Sequence, residues 1–255
     1  MDLSKIQPIP NEPALFIKNK KILVIADLHI GIENELREHG VNAQNHTQKM
    51  MDHFISLCRK YKPKEIILLG DIKHNIPSST IRERIDVKNF LETIKKYGVT
   101  HIVPGNHDGN ISRISPSDVI IHPSNGYLLE NIGFIHGHRW PSNILMKADQ
   151  IIMAHTHPMI MLIDRLNHRS FEPCWVKTRF IEKKLKEKYH DSSNPQLLIL
   201  PAFNPLCGGT PVNKDEIVGP LGKIINLDNA EIYLLDGTLL GTIKNVKLKN
   251  QVKIK

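Results

Sequence analysis

Ile22-Leu23-Val24-Ile25-Ala26-Asp27-Leu28-His29 runs five apolar residues straight into a D-x-H tripeptide. A short apolar run of this kind reads as a buried strand. A carboxylate and an imidazole where it stops read as side chains at the strand end, where α/β sheets open onto their sites. The same transition recurs four times. Glu65-Ile66-Ile67-Leu68-Leu69 leads into Gly70-Asp71, and His101 to Pro104 into Gly105-Asn106-His107-Asp108. Ile132 to Ile135 leads into His136-Gly137-His138, and Ile151 to Ala154 into His155-Thr156-His157.

Between these runs the pattern turns helical. Met51, Phe54, Ile55 and Cys58 fall at i, i+3, i+4 and i+7, which predicts a helix from about His46 to Tyr61. Thr80 and Glu83 form a capping-box pattern that starts a second helix, burying Val87, Phe90, Leu91 and Ile94 before Gly98 ends it. Further strands are expected at Leu15 to Ile17, Val119 to Ile121, Leu197 to Leu200 and Ile224 to Asn226. A hairpin should join Glu231 to Leu235 with Leu239 to Ile243 across Asp236-Gly237. This alternation predicts an α/β architecture, with residues 1–255 forming one domain. Arg165 to Pro195 interrupts the rhythm. Ile181, Leu185 and Tyr189 recur there at every fourth position of a basic stretch, which predicts an inserted amphipathic helix with its apolar stripe packed on the domain.

Composition sets the class. With 40% hydrophobic and 24% charged residues, the chain reads as an ordinary soluble globular protein. No apolar run approaches the roughly 20 residues that cross a bilayer. Met1 to Pro13 has no signal-peptide core either, so no membrane partner and a cytoplasmic location are expected. Cys58, Cys174 and Cys207 are widely spaced and odd in number, and read as reduced buried thiols rather than a disulfide framework or a cysteine zinc site. The net charge of +8 is uneven. Residues 177–188 and the lysine-rich tail 244–255 together carry +9, leaving the rest near neutral at −1. Localised basic surface would steer a phosphate-rich partner, while a solvated helix face and tail would give the same composition.

The donor types define the chemistry. Asp, Asn and His without thiolate suit Mn²⁺, with Fe²⁺ or Zn²⁺ as alternatives, in a five- or six-coordinate site. One carboxylate can bridge two such cations, which together hold a phosphoryl group and activate water for in-line attack. A histidine outside the metal shell could protonate the leaving oxygen, and His107, flanked by Asp108 to fix its ring, is the obvious candidate. Each segment alone is a weak signal. The ordered set is strong, because seven of the 14 histidines (His29, His74, His107, His136, His138, His155 and His157) lie in or beside these segments. His39, His46, His53, His101, His122, His168 and His190 read as structural or surface residues.

The order D-x-H, G-D, G-N-H-D, H-G-H and H-x-H resembles the calcineurin-like metallophosphoesterase superfamily over Asp27 to His157. The resemblance implies a four-layer α/β/β/α sandwich, two packed mixed sheets flanked by helices, with a dinuclear site on loops at one end. It implies that Asp27, His29, Asp71 and His157 hold a first metal and Asp71, Asn106, His136 and His155 a second, with Asp71 as the bridge. It also implies that His107 contacts the scissile phosphate or leaving group with Asp108 as its partner. H-G-H offers two imidazoles; the resemblance favours His136 as ligand. His138 and His74, the latter in Gly70-Asp71-Ile72-Lys73-His74, are then candidate substrate contacts, with packing roles as the alternative. Ala154 stands where a glycine commonly precedes H-x-H, which removes no ligand. Asp27-Leu28-His29-Ile30-Gly31, Gly70 to His74 and Leu200-Pro201-Ala202-Phe203 further resemble a compact group of SbcD-related phosphoesterases, archaeal and ligase-associated.

Three functions remain open on the sequence. A phosphodiesterase acting on DNA, RNA or nucleotides fits the basic segments and the subgroup. A phosphomonoesterase of small substrates would use the same metals. A non-catalytic metal-binding scaffold would be expected to have lost ligands, whereas Asn106 and His107 are both present. Oligomeric state is not written in the chain.

Overall fold

The computed structural model describes residues 6–41, 46–77 and 79–248. Its first sheet contains β1 (Ile6–Pro8), β2 (Leu15–Ile17), β3 (Ile22–Ile25), β4 (Glu65–Leu68), β5 (Val99–Ile102) and β6 (Ile120–Ile121), in that spatial order. The first three strands pair antiparallel, and β3 to β6 run parallel. Helices α1 (Ile32–Glu38) and α2 (His46–Tyr61) connect β3 to β4, and α3 (Ile81–Ile94) connects β4 to β5.

The second sheet contains β7 (Tyr127–Leu129), β8 (Ile132–Ile135), β9 (Gln150–Met153), β10 (Pro158–Ile163), β11 (Arg169–Thr178), β12 (Gln196–Ile199), β13 (Thr210–Pro211), β14 (Glu231–Leu234) and β15 (Leu239–Thr242). Its path runs β13-β10-β11-β12-β9-β8-β7, with β14 and β15 joined to β11. It is mixed: β8, β9 and β12 run parallel, whereas β10, β11 and β12 pair antiparallel in turn.

Side chains alternate across a strand, and that alternation sorts the core into three layers. Leu23, Ile25, Ile66 and Leu68 face α2 and α3, packing with Phe54, Val87, Phe90 and Leu91. Ile22, Val24 and Ile67 face the other way and meet Phe134, Ile152, Trp175 and Leu198 of the second sheet. The outer face of that sheet, with Ile135, Ile151, Met153 and Leu197, is covered by Leu185 and Tyr189. Two mixed sheets thus pack between helices, as expected.

The helices show what fixes them. Thr80 and Glu83 make both bonds of a capping box, worth about 1 kcal/mol, and Val87, Phe90, Leu91 and Ile94 are buried. In α2 the buried stripe is Met50, Phe54, Leu57 and Cys58; Met51 and Ile55, expected on it, lie at its half-buried margin. Burial of Met50, Phe54 and Leu57, roughly 1.5–3 kcal/mol each, holds a helix whose other face is polar.

Two segments differ from expectation. In the interval 165–195, residues 169–178 form the long strand β11, and the helix, α4, is confined to Glu182–Lys188. Ile181 is its N-cap; Leu185 and Tyr189 are buried, and Tyr189 Oη donates to the Pro141 carbonyl at 2.9 Å. Ile224 to Asn226 is not a strand. Pro220 opens a 3₁₀ turn over Pro220–Lys223, and Ile225 makes one isolated bridge with Phe180. At the C-terminal end, α5 (Ile243–Val246) takes up the start of the lysine-rich tail, and residues 249–255 lie outside the described residues. Among the described residues, no helix is long and apolar enough to cross a membrane.

Candidate metal centre

Asp27 and Asp71 lie two and three residues beyond the ends of β3 and β4, and His136 and His155 one and two beyond β8 and β9, so the parallel strand ends of both sheets empty into one place. Asp71 is its hub. Its Oδ1 accepts the His107 amide at 2.8 Å, while its Oδ2 lies 3.3 Å from His136 Nε2 and 3.5 Å from His29 Nε2. His136 Nδ1 faces the Leu69 carbonyl at 2.9 Å, which turns Nε2 toward Asp71 and His155 Nδ1, the latter 3.1 Å away. His157 is oriented alike: Nδ1 faces the Gly208 carbonyl at 2.9 Å and Nε2 lies 3.3 Å from Asp27 Oδ1.

These side chains form two donor groups. In one, single donor atoms of Asp27, His29 and Asp71 lie within 4.8 Å of one another; in the other, those of Asp71, His136 and His155 do. Both include Asp71. Asn106 lies in the loop between Gly105 and His107, with its side chain exposed.

The backbone is strained where these residues sit. Asp27, His29, Asp71, His155 and His157 have φ of 56°, 41°, 50°, 71° and 45°. Left-handed backbone at non-glycine residues costs of order 1–3 kcal/mol each and persists only where neighbours over-determine it. Here Asp27 N donates to Gly70 O at 3.1 Å and His29 N to Asp71 O at 2.8 Å, lacing the two strand ends together. Two glycines make the close approach feasible. Gly70 has φ 82°, and a Cβ there would lie 2.6 Å from His136 Cγ. At Gly105 a Cβ would come within 2.5 Å of Asp71 N and closer still to Oδ1. Gly105→Ala should therefore displace Asp71, lowering stability by ~1–3 kcal/mol and cutting bound divalent metal. Thermal melting and metal analysis measure both; an unchanged metal content would show that the loop can yield.

Asp108 departs from its expected role. It is buried, and its carboxylate accepts the amides of Gly105 (2.8 Å), Ile72 (2.8 Å) and Lys73 (3.3 Å), with no bond to the His107 ring. Its direction is set by three backbone donors, so it fastens the G-N-H-D loop to the segment after Asp71. The His107 ring is held instead through Nδ1 by the His74 carbonyl. His74 has both ring nitrogens engaged, Nε2 with Glu35 Oε2 at 2.6 Å and Nδ1 with His29 Nδ1 at 3.2 Å. Its placement supports the His29 ring more than it offers a free substrate contact. His29, His74 and His107 also bring ring nitrogens within 4.8 Å of one another. His138 packs against the rings of His136 and His155, at 5.4 and 6.1 Å, and its Nδ1 is buried without a hydrogen-bond partner.

Asn204 to Thr210 reads in the sequence as a loop that could lie near the site or as a plain Gly-Gly turn, and three residues outside the five motif segments do reach the site's surroundings. Cys207 brings Sγ within 4.8 Å of ring nitrogens of His29 and His157. His53 pairs with Glu12 at 2.6 Å and stacks on Phe203, and His46 Nε2 meets Asn204 Oδ1 at 2.7 Å. The contacts of Cys207 with His29, of His53 with Phe203 and of His46 with Asn204 each span more than 100 residues, and no local pattern announces them. His53, Phe171, Phe203, Cys207 and Gly209 line a cavity of about 360 Å³ that opens beside His157.

The electrostatics are those of anions seeking cations. Burial would raise the Asp71 carboxyl, but the hydrogen bond and charge of His136, the His107 amide and His29 outweigh it and hold it well below the usual carboxylate range. Burial likewise opposes charge on His136, yet Asp71 and then Asp27 raise it to about 9. His157 is raised too, because Asp27 outweighs its burial. Burial, assisted by neighbouring imidazoles, lowers His29, His138 and His155 to about 4. Burial, then Asp27 and Asp71, push the Cys207 thiol up.

A raised histidine contributes stability that is complete below its unfolded value of 6.5 and lost as pH rises toward about 9. A lowered histidine contributes stability above 6.5 that is lost as pH falls toward about 4. Chelator-stripped protein should therefore melt highest near pH 6.5 and lose Tm on both sides. Restored divalent metal should abolish the loss toward pH 9, because the imidazoles beside it are then neutral in the folded state. Thermal scans across pH check this; a stripped protein whose Tm climbs steadily to pH 9 would contradict it.

Known proteins resemble this chain. The crystal structure of the Pseudomonas putida nuclease MPE is 18% identical, covers 92% of this chain and 99% of its own, and superposes with a TM-score of 0.58. The phosphoesterase Yfce from E. coli is 12% identical, with 86% and 96% covered and a TM-score of 0.42. The family model described as calcineurin-like phosphoesterase matches residues 20–206, a span holding every segment from Asp27 to His157. The chain belongs to the calcineurin-like phosphoesterases.

Proposed function

We propose that this chain is a phosphodiesterase of nucleic acid or nucleotides that works with two divalent cations. The observation that carries the reading is the position of Asp71, whose one carboxylate belongs to both donor groups. The donors fit such ions. Both carboxylate oxygens of Asp27, a residue 0% exposed, are buried without a satisfying hydrogen bond, and Nε2 of His29 and of His157 meet only carboxylates, at 3.5 and 3.3 Å. Groups of this kind are costly unless a cation satisfies them.

Asp27, His29, Asp71 and His157 would hold one ion and Asp71, Asn106, His136 and His155 the other, with Mn²⁺ favoured and Fe²⁺ or Zn²⁺ as alternatives. A bound pair supplies Lewis acidity at the phosphoryl oxygens and lowers the pKa of an attacking water. The protein's own part is positioning and proton transfer. With Nδ1–H donated to the His74 carbonyl, His107 would turn Nε2 toward the leaving oxygen, and in the doubly protonated ring the Nε2 proton would pass to that oxygen and leave a neutral imidazole. Asp108 keeps that loop in register.

Two surface features support a nucleic-acid or nucleotide substrate. The cavity beside His157 is lined by the exposed ring of Phe171 and by His53, whose other face is backed by the buried Phe203, and these two could stack a base. The α4 lysines supply positive charge, although part of it is used internally. Lys184 Nζ donates to the Lys223 carbonyl at 3.0 Å, and Lys186 Nζ to those of His190 and Ser192. Lys188 Nζ lies 4.2 Å from the centre of the Trp140 ring, two residues beyond His138.

The test is turnover by Mn²⁺-loaded protein on bis-p-nitrophenyl phosphate, p-nitrophenyl phosphate and end-labelled single- and double-stranded DNA. Diester and DNA cleavage, with DNA affinity falling as salt rises, is the expected result. Monoester turnover without diester turnover would make the chain a phosphomonoesterase. Inactivity on all substrates at full metal loading would make it a scaffold.

A further inference from the structure

Cys207 sits in the loop after β12, and that loop is tied on both sides to the donor segments. Phe203 N donates to Ala26 O at 2.9 Å, and Asn204 Nδ2 to Leu28 O at 2.7 Å, which fixes the loop's start to the strand end carrying Asp27 and His29. On the other side, Gly208 O holds His157 Nδ1 at 2.9 Å. The thiol between these ties lies 3.8 Å from Asp27 O. Its Sγ and one ring nitrogen each of His29 and His157 lie within 4.8 Å of one another.

We propose that Cys207 Sγ is a ligand of the cation held by Asp27, His29 and His157, giving that ion a thiolate among oxygen and nitrogen donors. The inference rests on the two-cation reading above. It has its own support in buried atoms that no hydrogen bond satisfies: both Asp27 carboxylate oxygens, although His157 Nε2 pairs with Oδ1 at 3.3 Å, and His29 Nε2, which faces only the Asp71 carboxylate at 3.5 Å. Cys58 and Cys174 provide the contrast, since each lies in an apolar core and neither joins a donor group.

Coordination moves a sulfur lone pair onto the cation and releases the thiol proton to water. It also changes which ion the site prefers. Asp, Asn and His alone suit Mn²⁺, whereas a thiolate shifts preference toward Zn²⁺, Fe²⁺ and Co²⁺. The two ions would then differ in softness, with the softer one at the Cys207 position.

Cobalt provides the test. Stripped full-length protein is loaded with Co²⁺, bound metal is counted by mass spectrometry, and the near-ultraviolet spectrum is searched for thiolate-to-cobalt charge transfer. Wild type should show the band, and Cys207→Ser should lose it while still binding cobalt. Alkylation of the wild-type protein, read by peptide mass spectrometry, gives a second measure independent of how the variant folds: Co²⁺ should protect Cys207 from labelling. Bound cobalt with no charge-transfer band and an unprotected Cys207 would overturn the thiolate ligand and leave the two-cation reading intact. Failure of wild type to bind cobalt at all would overturn both.

Discussion

Asp71→Asn should lower phosphodiester turnover by ~10²–10³-fold, the scale of losing one preorganised electrostatic group, and should leave at most one divalent cation per chain. The reason is the shared position of Oδ2, within 3.5 Å of both His136 Nε2 and His29 Nε2. A carboxylate there carries charge to both donor groups; an amide carries none and can present only one acceptor oxygen. The fold should survive, because the amide oxygen can still take the His107 amide now bonded to Oδ1 at 2.8 Å. Loss of the anion should also lower the pKa of His136, which Asp71 does most to raise. Metal stoichiometry, turnover and circular dichroism on one preparation separate these effects. A folded Asp71→Asn variant with two tightly bound cations and wild-type turnover would remove Asp71 from the centre of the mechanism.

The convergence of the site was legible because each contributing side chain sits next to its own local signal. Asp27, Asp71, His136 and His155 all follow strands that read as apolar runs, and parallel strand ends must lie side by side. What could not be read depends on direction and on distant partners. The adjacency of Asp108 to His107 suggested a pair, but the turn aims the carboxylate back at the amides of Gly105, Ile72 and Lys73. Cys207 lies 180 residues from Asp27 and 50 from His157, and only the packing of β12 between β9 and β11 brings its loop to them. The hairpin of β10 and β11 was hidden for another reason. Residues 169–172 are all exposed, so the strand has no buried face at its start and is defined by pairing with residues 160–163. The periodicity of Leu185 and Tyr189 was real, but it described one short helix beyond that strand.

His107→Ala should leave both cations in place and slow the reaction according to the leaving group. The ring is held by the His74 carbonyl through Nδ1, so only Nε2 is available to act, and a proton donor matters in proportion to the basicity of the oxygen that departs. A nitrophenolate leaves readily without a proton, so bis-p-nitrophenyl phosphate turnover should fall by less than about tenfold. A nucleoside alkoxide does not, and cleavage of a dinucleotide or of DNA should fall by about 10²–10⁴-fold. The same comparison tests the competing arrangement in which His107 joins His29 and His74 as a metal donor. A ligand's removal would lower the metal content and depress both substrates alike. Equal losses with one cation missing would therefore assign His107 to metal binding, while a loss graded by leaving group at constant metal content would assign it to proton transfer.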